Sequence, residues 1–317
     1  MSMHMETMHG RPAAGAEVAA RYRAAAREDA DTAAAGESKL RSSCTPEMLH
    51  VSEVELIFHC LYVRTGYRRV TGSFTDAFRS ILTLHNETFN IWTHVIGTVL
   101  LLWWIAEVAS NASEFSSCGD DIIICLYFLV SLLITHVTSV GFHVLLSMSA
   151  TQYRRWLTVD NIGTMTGGLA IQVSGTWYGL REYPVGRAFA LALYCTAFAA
   201  ASVYFLTDYR RALYPSKQLI MAAFFNLWHL VFLALYLATG TWSRCTTAIY
   251  IWGWSGFWCF VLGLSIFNAR FPERFAPGRF DIFFMSHQIW HTLAVLGSYF
   301  FFVNFKTYVQ DTCPASC

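Results

Sequence analysis

The chain has 317 residues, of which 55% are hydrophobic, 16% aromatic and only 14% charged. Soluble domains carry about 25% charged residues, so this composition excludes an ordinary soluble globule and points to a membrane protein with several spans. A formal net charge of +1 gives no reason to expect a nucleic-acid partner.

Residues 1–45 are rich in Ala, Arg, Asp, Glu and Ser and poor in large apolar residues, as in RYRAAAREDADTAAAGESKLRSS. Such a segment cannot bury enough apolar surface to offset chain entropy, so a disordered region or a loose solvated helix is expected. The start, MSMHMETMHGRP, has no apolar h-region, and no cleaved signal peptide is expected. Residues 46–89 form a cytoplasmic amphipathic segment in which apolar residues recur at helical spacing but are interrupted by charge. One or two short helices against the bilayer surface are predicted there.

Residues 90–305 then carry apolar runs of bilayer length, roughly 20 residues each. They fall at 90–110, 121–146, 161–180, 187–207, 218–239, 248–268 and 282–305. The expected fold is all-α, a seven-transmembrane helix bundle. Basic residues set its orientation. Arg64, Arg68, Arg69 and Arg79 precede the first span, Arg154 and Arg155 lie in the second connection, Arg210, Arg211 and Lys217 in the fourth, and Arg270, Arg274 and Arg279 in the sixth. The other side is poorer in basic residues, although the third connection has Arg181 and Arg187. The N-terminus is therefore expected in the cytoplasm and the C-terminal tail, 306–317, outside. Cys118, Cys245, Cys313 and Cys317 lie outside the apolar runs, and disulfides among them have no pairing that spacing reveals. Of two glycosylation sequons, at Asn86 and Asn111, this topology leaves only Asn111 outside.

Polar residues inside the spans are costly and mark function. The last span begins SHQIWH, with His287 and His291 four residues apart on one helical face. With the topology above, both lie near the cytoplasmic side. The second span ends SVGFH, bringing Ser139 and His143 to that depth, and the third begins VDNIG, bringing Asp160 there. Three imidazoles with one open position suit catalytic zinc. His143, His287 and His291 are the expected ligands, Asp160 the group that orients or deprotonates a water, and Ser139 its hydrogen-bonding support. HQIWH has zincin spacing, but Gln288 stands where the general-base Glu would be, so a base must come from another helix.

Other readings of the same residues stay open. Intramembrane histidines also serve as helix–helix hydrogen-bond partners, and His94, His136 and His229 are expected to be structural or pathway-lining and not ligands. Asp160 could cap the third span's N-terminus. Glu87 and Asn90 read as part of a cap-and-anchor cluster opening the first span. Zinc could be structural, and a proton-relaying transporter is a third alternative, less favoured because polar residues concentrate at one end.

YVRTGYRRV, HNETFNIWTHVIG, SVGFH, LTVDNIG and above all ARFPERFAPGRFDIFFMSHQIWH resemble the progestin and adipoQ receptor family, and adiponectin receptors in particular, over about residues 60–300. The resemblance implies seven helices with the N-terminus inside and zinc held by His143, His287 and His291 beside Ser139 and Asp160. It also implies hydrolysis of a ceramide-like lipid amide to a fatty acid, since the wider haemolysin III-related superfamily includes alkaline ceramidases. An extracellular ligand and a plasma-membrane location, with internal membranes as the alternative, follow from the resemblance alone.

Overall fold

The computed structural model describes residues 48–116, 119–181, 183–207, 244–307 and 309. The fifth apolar run (218–239) with His229, residues 1–45, residues 308 and 310–317 of the expected tail, and the side chains of Cys118, Cys245, Cys313 and Cys317 lie outside the described residues.

Among the described residues there is no strand, only an isolated antiparallel bridge between Leu49 and Tyr67. The α-helices are α1 (Phe74–Arg79), α2 (Thr88–Ser110), α3 (Ala112–Phe115), α4 (Gly119–Leu145), α5 (Ala150–Gly179), α6 (Pro184–Thr207), α7 (Arg244–Ala269) and α8 (Ser286–Thr307). Four of them are long and apolar enough to cross a membrane: α2, α4, α6 and the Ile251–Ala269 part of α7. The helices α5 and α8 have comparable length but less apolar composition, because they carry much of the polar cluster described below.

The helix ends follow local chemistry. Asp120 and Asp121 occupy the first turn of α4, where negative charge suits the dipole. Pro184 opens α6, a position where its missing N–H costs nothing. Ser149 caps α5, its side chain accepting from the Gln152 backbone N–H at 3.2 Å. Asp160 is therefore interior to α5 and caps nothing. The segment with Arg154 and Arg155, read from hydropathy as a connection, is the first turns of this helix; a hydropathy window cannot register a helix that continues beyond its apolar part.

Adjacent helices pack in the order α7, α8, α2, α4, α5, α6, with α4 also touching α8. Small residues allow close approach. A Cβ on Gly163 or Gly167 of α5 would strike the hydroxyls of Thr138 and Thr135 on α4, and one on Gly256 of α7 would strike the Phe301 ring of α8.

Before α2, only Phe74–Arg79 of the expected amphipathic segment forms an α-helix. The rest is a compact irregular platform. Leu49, Val51, Val63 and Tyr67 bury against Met285, just ahead of α8. Thr65 donates to Asp281 Oδ2 through both its backbone N–H (2.8 Å) and its hydroxyl (2.7 Å). Gly66, with φ +82°, makes a turn that an L side chain rarely adopts, and a Cβ there would meet Ile282.

Candidate metal centre

Three helix ends meet above this platform: the start of α2, the end of α4 and the start of α8. His143 lies in the last turn of α4, while His287 and His291 lie in the first two turns of α8. One ligand atom from each can be chosen so that all lie within 4.8 Å of one another. The rings meet edge to face, with centroids 5.1 Å apart for His143–His287, 4.8 Å for His143–His291 and 4.4 Å for His287–His291. His143 and His291 are buried and His287 is half-buried.

Burial makes each polar atom accountable. His143 Nδ1 donates to Glu87 Oε2 at 2.8 Å, whereas its Nε2 is buried with no hydrogen-bond partner. His291 Nδ1 is likewise buried and unpartnered. Two unsatisfied imidazole nitrogens within one cluster of three are what a metal-binding donor set requires, and neutral nitrogen donors fit zinc well.

The structure brings Ser139 and Asp160 to the same place. Ser139 is buried one helical turn before His143, and its hydroxyl lies within polar reach of the Asp160 carboxylate across the α4–α5 contact. Asp160 lies within electrostatic reach of His143, and its Oδ1 is buried without a partner.

Glu87, immediately before α2, is the group that spacing did not single out. Asn90 Nδ2 also donates to its Oε2, at 2.6 Å. Burial opposes the charge of Glu87, but the hydrogen bond from His143 and the neighbouring imidazoles hold its carboxyl well below the usual carboxylate range. Arg68 is buried as well, donating to the His143 carbonyl at 2.5 Å, the Val144 carbonyl at 3.0 Å and Ser80 Oγ at 2.8 Å. It caps the C-terminus of α4. Burial lowers Arg68 to about 10, so it remains a cation at neutral pH.

The start of α8 is held just as firmly. Buried Glu273 accepts from the Ser286 backbone N–H at 2.8 Å and from the Ser286 hydroxyl. Gln288, in the place of a zincin glutamate, donates to the Ile282 carbonyl at 2.8 Å and is a structural strut. His94 and His136 are buried and joined Nδ1 to Nδ1 at 2.6 Å, one donating and the other accepting. The His94 ring packs against His291 with centroids 4.2 Å apart. These two extend the imidazole cluster deeper between α2, α4 and α8.

Long apolar helices around a buried polar cluster define an integral membrane protein of the all-helical kind. The haemolysin-III related family model matches residues 82–302, and the chain belongs to that family, among the progestin and adipoQ receptors. It is 29% identical over 244 residues to the ADIPOR-like receptor IZH1 of Eremothecium gossypii, covering 74% of this chain and 76% of that one. It is 27% identical over 270 residues to human progestin and adipoQ receptor family member 3, covering 75% and 78%. An uncharacterized Schizosaccharomyces pombe protein matches at 27% over 268 residues, which is 81% of this chain but 58% of that longer relative.

Proposed function

We propose that this chain is a seven-span receptor-like membrane protein with an intramembrane zinc site that hydrolyses a ceramide-like lipid amide. The observation that carries this reading is the cluster of His143, His287 and His291, with two buried nitrogens lacking protein partners. The proposed topology places the N-terminus in the cytoplasm and the C-terminus outside. It is supported by the basic residues of the segments on the cluster's side: Arg64 and Arg69 before α1, Arg79 in α1, Arg154 and Arg155 in the first turns of α5, and Arg270, Arg274 and Arg279 between α7 and α8. A reporter fused to the N-terminus should be protected in intact cells, and one at the C-terminus accessible.

Zinc bound by the three histidines would polarise an amide carbonyl and lower the pKa of a water to about 7. The protein's part is positioning and proton handling. Asp160, steadied by Ser139, accepts the proton of the attacking water and passes it to the leaving amine. The water oxygen bonds the acyl carbon, the C–N bond breaks, and the products are a fatty acid and a sphingoid base. The acyl chain enters between helices from the bilayer.

Purified protein should contain zinc and release fatty acid from ceramide. Asp160→Ala should keep the metal and lose the activity, whereas His287→Ala should lose both. Absence of hydrolysis by wild type across lipid amides would overturn the enzymatic reading. It would leave the second one, a receptor with structural zinc that responds to an extracellular ligand at the plasma membrane. That alternative is favoured by the receptor names of the relatives, and a protein group in the fourth zinc position, in place of water, would establish it.

A further inference from the structure

We propose that Glu87 is the positioning residue for the metal ligand His143, fixing its tautomer so that Nε2 is the nitrogen offered to the ion shared with His287 and His291. This rests on the metal-site reading above and assigns a role to a residue that belongs to neither the histidine set nor the Asp160–Ser139 pair.

A neutral imidazole carries one N–H and one lone pair, and the hydrogen bond at one nitrogen decides which is which. At His143 the decision is made by Glu87, because a charged carboxylate can only accept. The 2.8 Å contact from Nδ1 to Oε2 therefore places the proton on Nδ1 and leaves the lone pair on buried, unpartnered Nε2. The opposite tautomer would set a lone pair against the carboxylate.

The carboxylate is itself restrained. Asn90, one turn along, donates to the same Oε2 at 2.6 Å, and the Glu87 backbone N–H donates to His85 Nδ1 at 3.0 Å. His143 is thereby held at both ends, its ring by Glu87 and its carbonyl by Arg68. Both restraints come from residues before or at the start of α2, far from α4 in sequence. A carboxylate on the far nitrogen of a metal-bound histidine orients the ring and raises its basicity, and removing such a partner costs about 10- to 100-fold in metal affinity.

The test uses the full-length protein in detergent, with zinc affinity measured by chelator competition and folding checked by thermal unfolding. Glu87→Ala is expected to bind zinc about 10- to 100-fold more weakly than wild type. Glu87→Gln, whose amide oxygen still accepts from Nδ1, should lose less, and Glu107→Gln, at the other end of α2, should match wild type. Wild-type affinity in folded Glu87→Ala would overturn the proposal while leaving the three-histidine site intact. If Glu87→Ala does not fold, Glu87→Leu, which fills the space without an acceptor for Nδ1, decides: weaker zinc binding supports the proposal and unchanged binding overturns it. Wild type that holds no zinc overturns the metal reading and this inference together.

Discussion

The same helices α2, α4 and α8 are built differently at their two ends. At one end they enclose His94, His136, His143, His287 and His291, with Glu87 and Arg68 beside them. At the other they pack Leu101, Trp104, Phe128, Leu129, Phe302 and Phe305, including stacked pairs such as Trp104–Phe302 at 4.7 Å. In the apolar end each side chain contributes through many weak dispersion contacts, so losses are graded. In the polar end each group depends on a particular partner, and removing one leaves another buried and unsatisfied. The contrast separates residues that hold the bundle from residues that define its chemistry.

The largest effect is expected from His291→Ala. It should abolish zinc retention, read by elemental analysis of purified protein, while the apolar end still folds. Asp160→Asn should follow, lowering lipid amide hydrolysis by about 10²- to 10⁴-fold, the usual worth of a general base, with zinc content unchanged. In the apolar end, Phe128→Ala should cost about 3 kcal/mol in unfolding experiments and leave zinc stoichiometry at the wild-type value. Gly163→Val joins the two regions: its added bulk meets Thr138 on α4, costing about 1–3 kcal/mol, and the widened α4–α5 spacing should reduce hydrolysis through Asp160 and Ser139. Smallest is Lys306→Ala. Lys306 bonds Glu107 at 3.1 Å with side chains 39% and 33% exposed, so the loss should stay below about 1 kcal/mol.

Much of the site was legible in the chain. His287 and His291 stand out because imidazoles at i, i+4 are anomalous in a run of lipid length. His143, Ser139 and Asp160 converge on them once basic residues orient the spans. Glu87 was not legible, because its partner His143 is 56 residues away and a carboxylate next to a helix start reads equally well as a cap. Arg68 was misleading in another way. Charge counting takes it as one of the basic residues that set orientation, yet it is buried and serves the carbonyls of His143 and Val144. The irregular platform before α2 was also hidden, since its core forms only against Met285 near the other end of the chain.

Hydropathy and helical periodicity are properties of neighbouring residues, and they suffice for a membrane-embedded helical protein, the positions of its long described helices and the residue types of its polar cluster. Which nitrogen of His143 is free, which carboxylate holds it and what seats the start of α8 were decided only by tertiary structure. Those choices depend on hydrogen bonds between segments distant in sequence, and in a buried site each such bond has to be made by whichever group packing brings within reach.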